Sequence, residues 1–326
     1  QRKSNLIMAS RRTFIKQSTL GSLALTFPLL TEIKAATPGF KSANIGPKIS
    51  LAQWSLHRAL EAGDLKAVNF PRVAKKEFGI SAVEYVNAFY TDELRNPSFW
   101  DTLKKDTDAE GVQNLLIMVD DEGELGAAQK PERTRAVDQH RRWIEAAHRL
   151  GCDAIRVNAF GKGDRKALRE ALIDGLGTLA EAGSEAGINI LVENHGLHTS
   201  DAGFMTGIIE AVNNPILGTL PDFGNWCLNK EWGGTQNGSC TDSYDPVKGL
   251  QQMLPFAKGV SAKSYDFDPE GNETTLPYKA LLQEVKDSGF TGYIGIEYEG
   301  ERLTEAQGIR ATKALIEKTW ACLLYT

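Results

Sequence analysis

Short apolar runs alternate with longer amphipathic segments along most of the chain. The apolar runs lie at 48–56, 82–86, 112–119, 154–160, 188–193, 217–223, 259–265 and 292–298. Near-continuous apolar runs of this length are typical of strands that are buried on both faces. Between them, segments such as 133–151 repeat apolar residues at the spacing of one helix face. The pattern therefore predicts strands and helices in regular alternation.

Eight strand-then-helix units in a chain of 326 residues predict an α/β fold, built as a single (β/α)8 TIM barrel. A doubly wound open sheet is the competing architecture. It has less support, because none of the predicted strands is followed by a Gly-x-Gly-x-x-Gly turn. We expect one barrel domain over 37–326.

Residues 1–36 have a different pattern and are interpreted as an N-terminal extension with an export signal. Arg11 and Arg12 precede Phe14 and Lys16, and an uncharged apolar stretch follows as far as Leu30. This order is typical of a twin-arginine signal peptide, with a short amphipathic helix as the alternative. The expected location is the periplasm. After removal of the signal we expect no membrane association, because no other apolar run approaches the roughly 20 residues that span a bilayer.

The charge of the chain argues against one broad class of function. The net charge is −5, and no basic cluster follows the signal. Nucleic-acid binding depends on Lys and Arg side chains that neutralise phosphates, so no nucleic-acid partner is expected. The oligomeric state is left open.

The longest irregular region, 225–245, follows the sixth predicted strand and is rich in Gly, Trp and Asn. A loop of this length is often a lid or a pocket wall, which is what we predict here. Cys227 and Cys240 both lie in it and are close enough in the chain to form a disulfide in an oxidising compartment. The sequence leaves that pairing open.

Polar side chains stand at the ends of most of the predicted strands. In a TIM barrel the active site lies at the C-terminal ends of the strands, so these side chains are the candidates for chemistry. They are Gln53, Ser55, His57, Glu84, Asn158, Glu193, His195, Asp222, Asn225, Lys263, Asp266, Glu297 and Glu299.

Three of these residues, Glu193, Asp222 and Glu297, are carboxylates that would converge across one barrel mouth. Like charges held close together resist ionising together, so a divalent cation is their natural partner. Oxygen ligands suit hard ions such as Mg²⁺ or Mn²⁺. A structural ion network is the alternative for this group.

The segments "LVENH", "LPDFGNW" and "IGIEYEG" carry those carboxylates, and they resemble the xylose isomerase-like barrel superfamily of sugar isomerases and epimerases. The resemblance extends from about Lys48 to Trp320 and includes ketose 3-epimerases, hydroxypyruvate isomerases and inosose dehydratases. It implies that Glu193, Asp222 and Glu297 bind a divalent metal such as Mn, Mg, Co or Zn. It also implies that the two Glu residues move the substrate proton.

One position departs from the family pattern. Family members usually place a metal-binding His on the seventh strand, often as His-x-Lys, whereas this chain reads "VSAKSYDFD" with Ser261 and Lys263. We consider three interpretations: His195 approaches the metal, water fills the fourth position, or Lys263 itself replaces the cation. Lys263 is therefore included among the catalytic candidates.

The expected activity is removal of a proton next to a carbonyl through an enediolate, giving isomerisation or epimerisation of a small-molecule carbohydrate. Export favours a non-phosphorylated sugar or keto-sugar. We assign substrate binding to Trp54, Glu84, His195 and Asn225. The alternatives are a lyase that eliminates a β-leaving group from a keto-sugar or keto-glycoside, and a non-catalytic sugar-binding barrel. The apurinic endonucleases of the superfamily fit poorly, because the chain has 5 His and an acidic balance.

Overall fold

The computed structural model describes residues 46–238 and 240–323, so the predicted export signal lies outside the described residues. The described residues form alternating strands and helices. The strands are β1 Lys48–Ala52, β2 Ala82–Val86, β3 Gln113–Val119, β4 Ala154–Val157, β5 Asn189–Glu193, β6 Leu217–Leu220, β7 Val260–Ser264 and β8 Tyr293–Tyr298. The α-helices are α1 His57–Glu61, α2 Phe70–Phe78, α3 Pro97–Glu110, α4 Lys130–Leu150, α5 Arg165–Ala186, α6 Ala202–Val212, α7 Pro246–Met253, α8 Tyr278–Asp287 and α9 Glu305–Cys322.

The strands form one parallel sheet in the order β6-β5-β4-β3-β2-β1-β8-β7. Isolated parallel bridges join Thr219 to Ala257 and Asp222 to Ser261, so β6 also meets β7. Across this seam the backbone N–H of Ser261 donates to the carbonyl of Pro221 at 2.9 Å. The sheet thus closes on itself, which confirms the predicted (β/α)8 barrel over the doubly wound alternative.

The predicted strands are all present, with one clear difference. The first was expected to run to Leu56, but β1 ends at Ala52 and a 3-10 helix covers Gln53–Leu56. The Gln53 side chain explains the turn: its Oε1 accepts from the Val86 N–H at 3.0 Å and its Nε2 donates to Tyr90 Oη at 2.9 Å. A contact with the following β2 segment therefore outweighs the apolar pattern.

Side chains alternate between the barrel interior and the layer beneath the helices, because successive residues of a strand point to opposite faces. The interior holds a small apolar cluster that includes Ala154 and Leu191. Two positions further along the same strands, Arg156 and Glu193 therefore also point inward. The barrel is thus apolar at one level and charged at the next, toward the C-terminal ends of the strands.

The long loop after β6 is pinned by a disulfide between Cys227 and Cys240. Within residues 46–238 and 240–323, none of the helices combines the length and the apolar character needed to cross a bilayer.

Candidate active site

Three buried carboxylates meet at the C-terminal end of the barrel. Glu193 ends β5, Asp222 follows β6 and Glu297 lies in β8, and one oxygen of each lies within 4.8 Å of the others. None of them is more than 5% exposed. The sequence prediction that these residues converge thus agrees with their positions in the structure.

Ser261 occupies the place where the family pattern has a His, and it contacts two of the three carboxylates. Its Oγ lies 2.6 Å from Asp222 Oδ2 and 2.8 Å from Glu297 Oε2. A hydroxyl carries one proton, so it cannot donate to both oxygens at once. A further proton or cation therefore stabilises this contact, and Lys263, whose Nζ lies 3.5 Å from Glu297 Oε2, supplies one positive charge.

The electrostatics of the group agree with that conclusion. Burial raises the pKa of Asp222 to about 7, even though Lys263 acts in the opposite direction. Burial also raises the pKa of Glu193 well above its usual range, against the effect of Arg156. An oxygen-only set of three carboxylates, with a hydroxyl between two of them, fits a hard divalent cation such as Mg²⁺ or Mn²⁺. The residues present are thus compatible with the metal that the family pattern implies.

Arg156 was not among the sequence candidates, yet it holds the first carboxylate. Its Nε lies 2.8 Å from Glu193 Oε2, and its guanidinium also pairs with Asp120 at the end of β3. Burial alone would lower the pKa of Arg156, but Asp120 and Glu193 outweigh it and raise that pKa. A charged residue within the apolar run 154–160 was the available signal.

Lys263 is buried on β7 and faces carboxylates on the next strand. Its Nζ lies 3.5 Å from Glu297 Oε2 and 3.0 Å from Glu299 Oε1, and its side chain is 2% exposed. Burial would lower the pKa of Lys263, but Asp222, Glu297 and Glu299 raise it well above its usual range. The site thus carries a fixed positive charge beside the carboxylate group.

His195 is oriented by a chain of polar side chains. Its Nδ1 lies 2.8 Å from Asn158 Oδ1, and Asn158 Nδ2 donates to Asp120 at 2.6 Å. Because that Asn158 oxygen can only accept, Nδ1 carries the proton and Nε2 keeps its lone pair. Burial and the nearby Arg156 hold the pKa of His195 well below its usual range, so the ring is neutral. Nδ1 is 3.9 Å from Glu193 Oε2.

Asn225 and Glu84 were also predicted to bind substrate, and the structure places Asn225 beside the carboxylates and Glu84 inside the barrel. Asn225 supports the carboxylates: its Nδ2 donates to Glu193 Oε1 at 3.1 Å and its N–H donates to Asp222 at 2.9 Å. Glu84 lies inside the barrel, where Ser50 Oγ donates to Glu84 Oε1 at 2.6 Å while Glu84 Oε2 has no hydrogen-bond partner. Burial raises the pKa of Glu84 to about 7.

A cavity of about 360 Å³ opens at this end of the barrel, and of the three carboxylates Glu297 lines it. Its walls combine charged side chains from strand ends with aromatic and apolar side chains, and they include Trp54. The loop after β6 contributes Lys230, Trp232, Gly234 and Gln236, which agrees with its predicted role as a pocket wall. The other lining residues are Val86, Ala88, Met118, Asp120, Asp121, Arg156, His195, Lys263, Glu297 and Glu299.

Known proteins resemble this chain at two levels. A family described as xylose isomerase-like TIM barrel matches residues 73–319. The 3'-dehydrocarminate deglycosidase alpha subunit of a Microbacterium species is 40% identical over 48 residues, which are 15% of this chain and 14% of that protein. The C-glycoside deglycosidase alpha subunit of Arthrobacter globiformis is 28% identical over 64 residues, which are 20% of this chain and 17% of that protein. These matches span only a small part of each curated relative.

Solved structures resemble the whole barrel. The xylose isomerase domain protein of Planctomyces limnophilus has a TM-score of 0.63 and 16% identity, and the match covers 86% of this chain and 99% of that one. The 3-keto-D-glucoside 4-epimerase of E. coli has a TM-score of 0.61 and 14% identity, covering 83% of this chain and 99% of that one. At these identities the likeness shows the fold.

Proposed function

The chain belongs to the xylose isomerase-like TIM barrel family, and on that basis we propose that it is a divalent-metal-dependent sugar isomerase or epimerase. The reaction would remove a proton next to the carbonyl of a sugar and pass through an enediolate. The observation that carries the proposal is the convergence of Glu193, Asp222 and Glu297 beside a cavity large enough for a small ligand.

The two glutamates are the proton-transfer groups of the proposal. Glu193 ends β5 and Glu297 lies in β8, and one oxygen of each lies within 4.8 Å of the other. In the proposal the reacting carbon of the substrate lies against both carboxylates. One takes the proton and the other returns it, to the same carbon in epimerisation or to the neighbouring carbon in isomerisation. A divalent cation held by Glu193, Asp222 and Glu297 would supply Lewis-acid polarisation of the carbonyl.

Two cationic side chains add to the electrostatics. Arg156 and Lys263 both line the cavity, and both are held in place by carboxylates. Fixed positive charges in a site shielded from water stabilise negative charge that develops on substrate oxygens without any reorganisation. We assign Arg156 to holding Glu193 and Lys263 to holding Glu297, with both close enough to the cavity to contact a substrate oxygen.

The substrate class we propose is a non-phosphorylated sugar or keto-sugar. The ground is the export expected from the twin-arginine pattern, because cells generally keep phosphorylated sugars inside. We also propose a periplasmic location from the twin-arginine pattern at Arg11 and Arg12. Fractionation of cells, with mass spectrometry of the N-terminus of the exported chain, tests that location.

A lyase is the second candidate, because both curated relatives are named deglycosidases. Proton removal next to a carbonyl is the first half of such an elimination. If the bond to a β-oxygen or β-carbon then breaks, the electron pair leaves with the aglycone, which takes a proton, and the enediolate collapses to an unsaturated ketone. The same two glutamates would serve as base and acid.

The test uses the purified chain with keto-sugars in deuterium oxide. Uptake of deuterium at the carbon next to the carbonyl, lost when a chelator removes the metal and regained with Mn²⁺, would support the proposal. Release of an aglycone together with that uptake would favour the lyase. No uptake from any keto-sugar, with or without metal, would leave the non-catalytic sugar-binding barrel as the better description.

A further inference from the structure

We infer that the cavity has a second subsite, formed around Trp54 and Trp232, for a flat apolar substituent joined to the reacting sugar. The inference rests on the proposed function, because it names the substrate as a glycoside rather than a free monosaccharide. It is carried by the geometry of Trp232 and by the presence of both tryptophans in the lining of the cavity that also contains Glu297.

Trp232 is held in an unfavourable state. Its side chain is 42% exposed, one of only two strongly exposed large hydrophobic side chains in the described part of the chain. Its backbone φ is 66°, in the left-handed region that bulky residues seldom adopt. The exposed indole loses the stabilisation that burial of its apolar surface would give, and the backbone conformation adds strain. Because neither feature stabilises the fold, we interpret both as serving binding.

The surrounding loop fixes that conformation. A Cβ on Gly196 would lie 2.3 Å from the Lys230 carbonyl oxygen and 2.8 Å from the Trp232 nitrogen. Only glycine therefore allows the loop after β5 to touch the loop after β6. The Cys227–Cys240 disulfide closes the second loop around the same region. The indole is thus held in a defined position in the cavity wall.

The wall is continuous with the reactive end of the cavity. The Trp232 ring packs edge-on against His195, with ring centroids 4.9 Å apart, and against Phe160 at 5.7 Å. His195 lines the same cavity as Glu297. A ligand in contact with the indole would therefore extend directly from a sugar placed at the carboxylates.

Charged and apolar groups both line the cavity. Arg156, Lys263, Glu297 and Glu299 come from strand ends, and they suit the hydroxyl and carbonyl groups of a sugar. The apolar lining residues are Trp54, Val86, Ala88, Met118, Trp232 and Gly234. Trp54 is itself supported by Phe89, at a centroid distance of 6.3 Å.

A bare ketose offers these apolar residues little apolar surface. An uncharged group with a flat apolar face would cover them, because such faces stack on indole rings. Two sources share this chemistry: an aromatic aglycone, and the C–H face of a second sugar ring.

Calorimetric titration of the full chain with three glucosides distinguishes them: methyl β-D-glucopyranoside, 4-nitrophenyl β-D-glucopyranoside and cellobiose. None of them has the keto group that the proposed reaction needs, so the titration measures binding without turnover. We expect the nitrophenyl glucoside or cellobiose to bind about fivefold or more tightly than the methyl glucoside. Which of the two gains affinity identifies the source of the flat face.

The variants Trp232→Ala and Trp54→Ala should each lose that preference, while Trp232→Phe should keep most of it. Val68→Ala, which removes apolar surface from the other strongly exposed position, is the matched control and should bind like the unmodified chain. The inference is overturned if the three glucosides bind equally, if none binds, or if the preference survives in folded Trp232→Ala and Trp54→Ala. If keto-sugars take up no deuterium, the proposed reaction is refuted. The glucoside titration can still be interpreted, because it measures binding and not turnover.

Discussion

Arg156 Nε lies 2.8 Å from Glu193 Oε2, and each of the two side chains is 3% exposed. The pair joins β4 to β5, the strand that carries the first carboxylate. Because both charges are removed from water, each depends on the other for compensation. The pair therefore links the stability of the barrel to the state of its active site.

Removal of Arg156 should be strongly destabilising. Arg156→Ala would leave Glu193 and Asp120 as buried or partly buried carboxylates without their cation, and we expect a loss of about 3–5 kcal/mol in the free energy of unfolding. Urea unfolding measures it. The control is Arg302→Ala, which breaks an exposed pair with Asp266 and should cost less than about 1 kcal/mol. Equal losses for the two variants would contradict a buried pair of this importance.

Glu193→Gln and Glu297→Gln should each lower turnover by about a thousandfold or more while the barrel stays folded. The amide keeps the size of the side chain but can neither accept the proton nor bind a divalent cation as a carboxylate does. Steady-state rates and the metal content of each variant are the measurements. Glu301→Gln is the control, because Glu301 is exposed and lies outside both the carboxylate group and the cavity lining. Near-normal activity in either main variant would refute the two-glutamate scheme.

Lys263→Met should move the pH dependence of metal binding by the metal-free chain upward. Lys263 lowers the pKa of Asp222, although burial dominates and raises it to about 7. Without the ammonium group that pKa rises further, so the ionised carboxylate would require a higher pH. We expect calorimetric titration of the metal-free variant with Mn²⁺ at a series of pH values to show binding that begins at a higher pH than in the unmodified chain. An unchanged pH dependence would mean that Lys263 does not act on the carboxylates.

Glu84 should make the protein less stable as the pH rises toward neutrality. Burial raises its pKa from the ordinary 4.5 to about 7. Between these values the folded chain holds a proton that the unfolded chain has lost, so the free energy of unfolding falls by at most about 1.4 kcal/mol per pH unit from this group. Glu84→Gln should make the free energy of unfolding change less with pH as the pH approaches the Glu84 pKa of about 7. Chemical unfolding at a series of pH values measures this change. Glu301→Gln, at an exposed position, should leave the slope unchanged.

Reduction of the Cys227–Cys240 disulfide should destabilise the loop that carries Trp232. The two cysteines are 13 residues apart, and a loop of that size corresponds to about 3 kcal/mol in the chain-entropy account. We expect a lower melting temperature with a reductant, and the same decrease in the variant Cys227→Ser with Cys240→Ser. Cys322→Ser removes an exposed free thiol and is the control. If the double variant has the same melting temperature as the unmodified chain, the disulfide has no stabilising role.

The sequence predicted those features that depend on a short segment of the chain. Apolar runs identified every strand, and Glu193 and Glu297 stand at strand ends, so their convergence followed from the barrel itself. The partners of these residues depend on register instead. Arg156 is paired with Met118 on β3 and Leu191 on β5, and that alignment brings its guanidinium beside Asp120 and Glu193. No pattern within 154–160 specifies this alignment, so Arg156 was passed over.

The position of Glu84 shows the same limit. Its place near a strand end suggested the cavity, but the stagger of β2 in the barrel leaves it one level deeper, beside Ser50 and Gly295. A Cβ at Gly295 would lie 2.5 Å from Glu84 Oε1, so the fit depends on a glycine in a strand that is distant in the sequence. Such contacts are set by tertiary packing, which a periodicity in one segment does not contain.

Asp222 and Ser261 form the bridge at which β6 meets β7, and their side chains also share a hydrogen bond inside the acidic group. The seam of the barrel and the chemistry of its mouth thus use the same two residues. The bridge itself is made by backbone groups, which most residue types supply, so a closed barrel alone would not preserve these two side chains over evolutionary time. Persistence of the aspartate and the serine in descendants of this chain would therefore reflect their place in the acidic group rather than the inheritance of a fold.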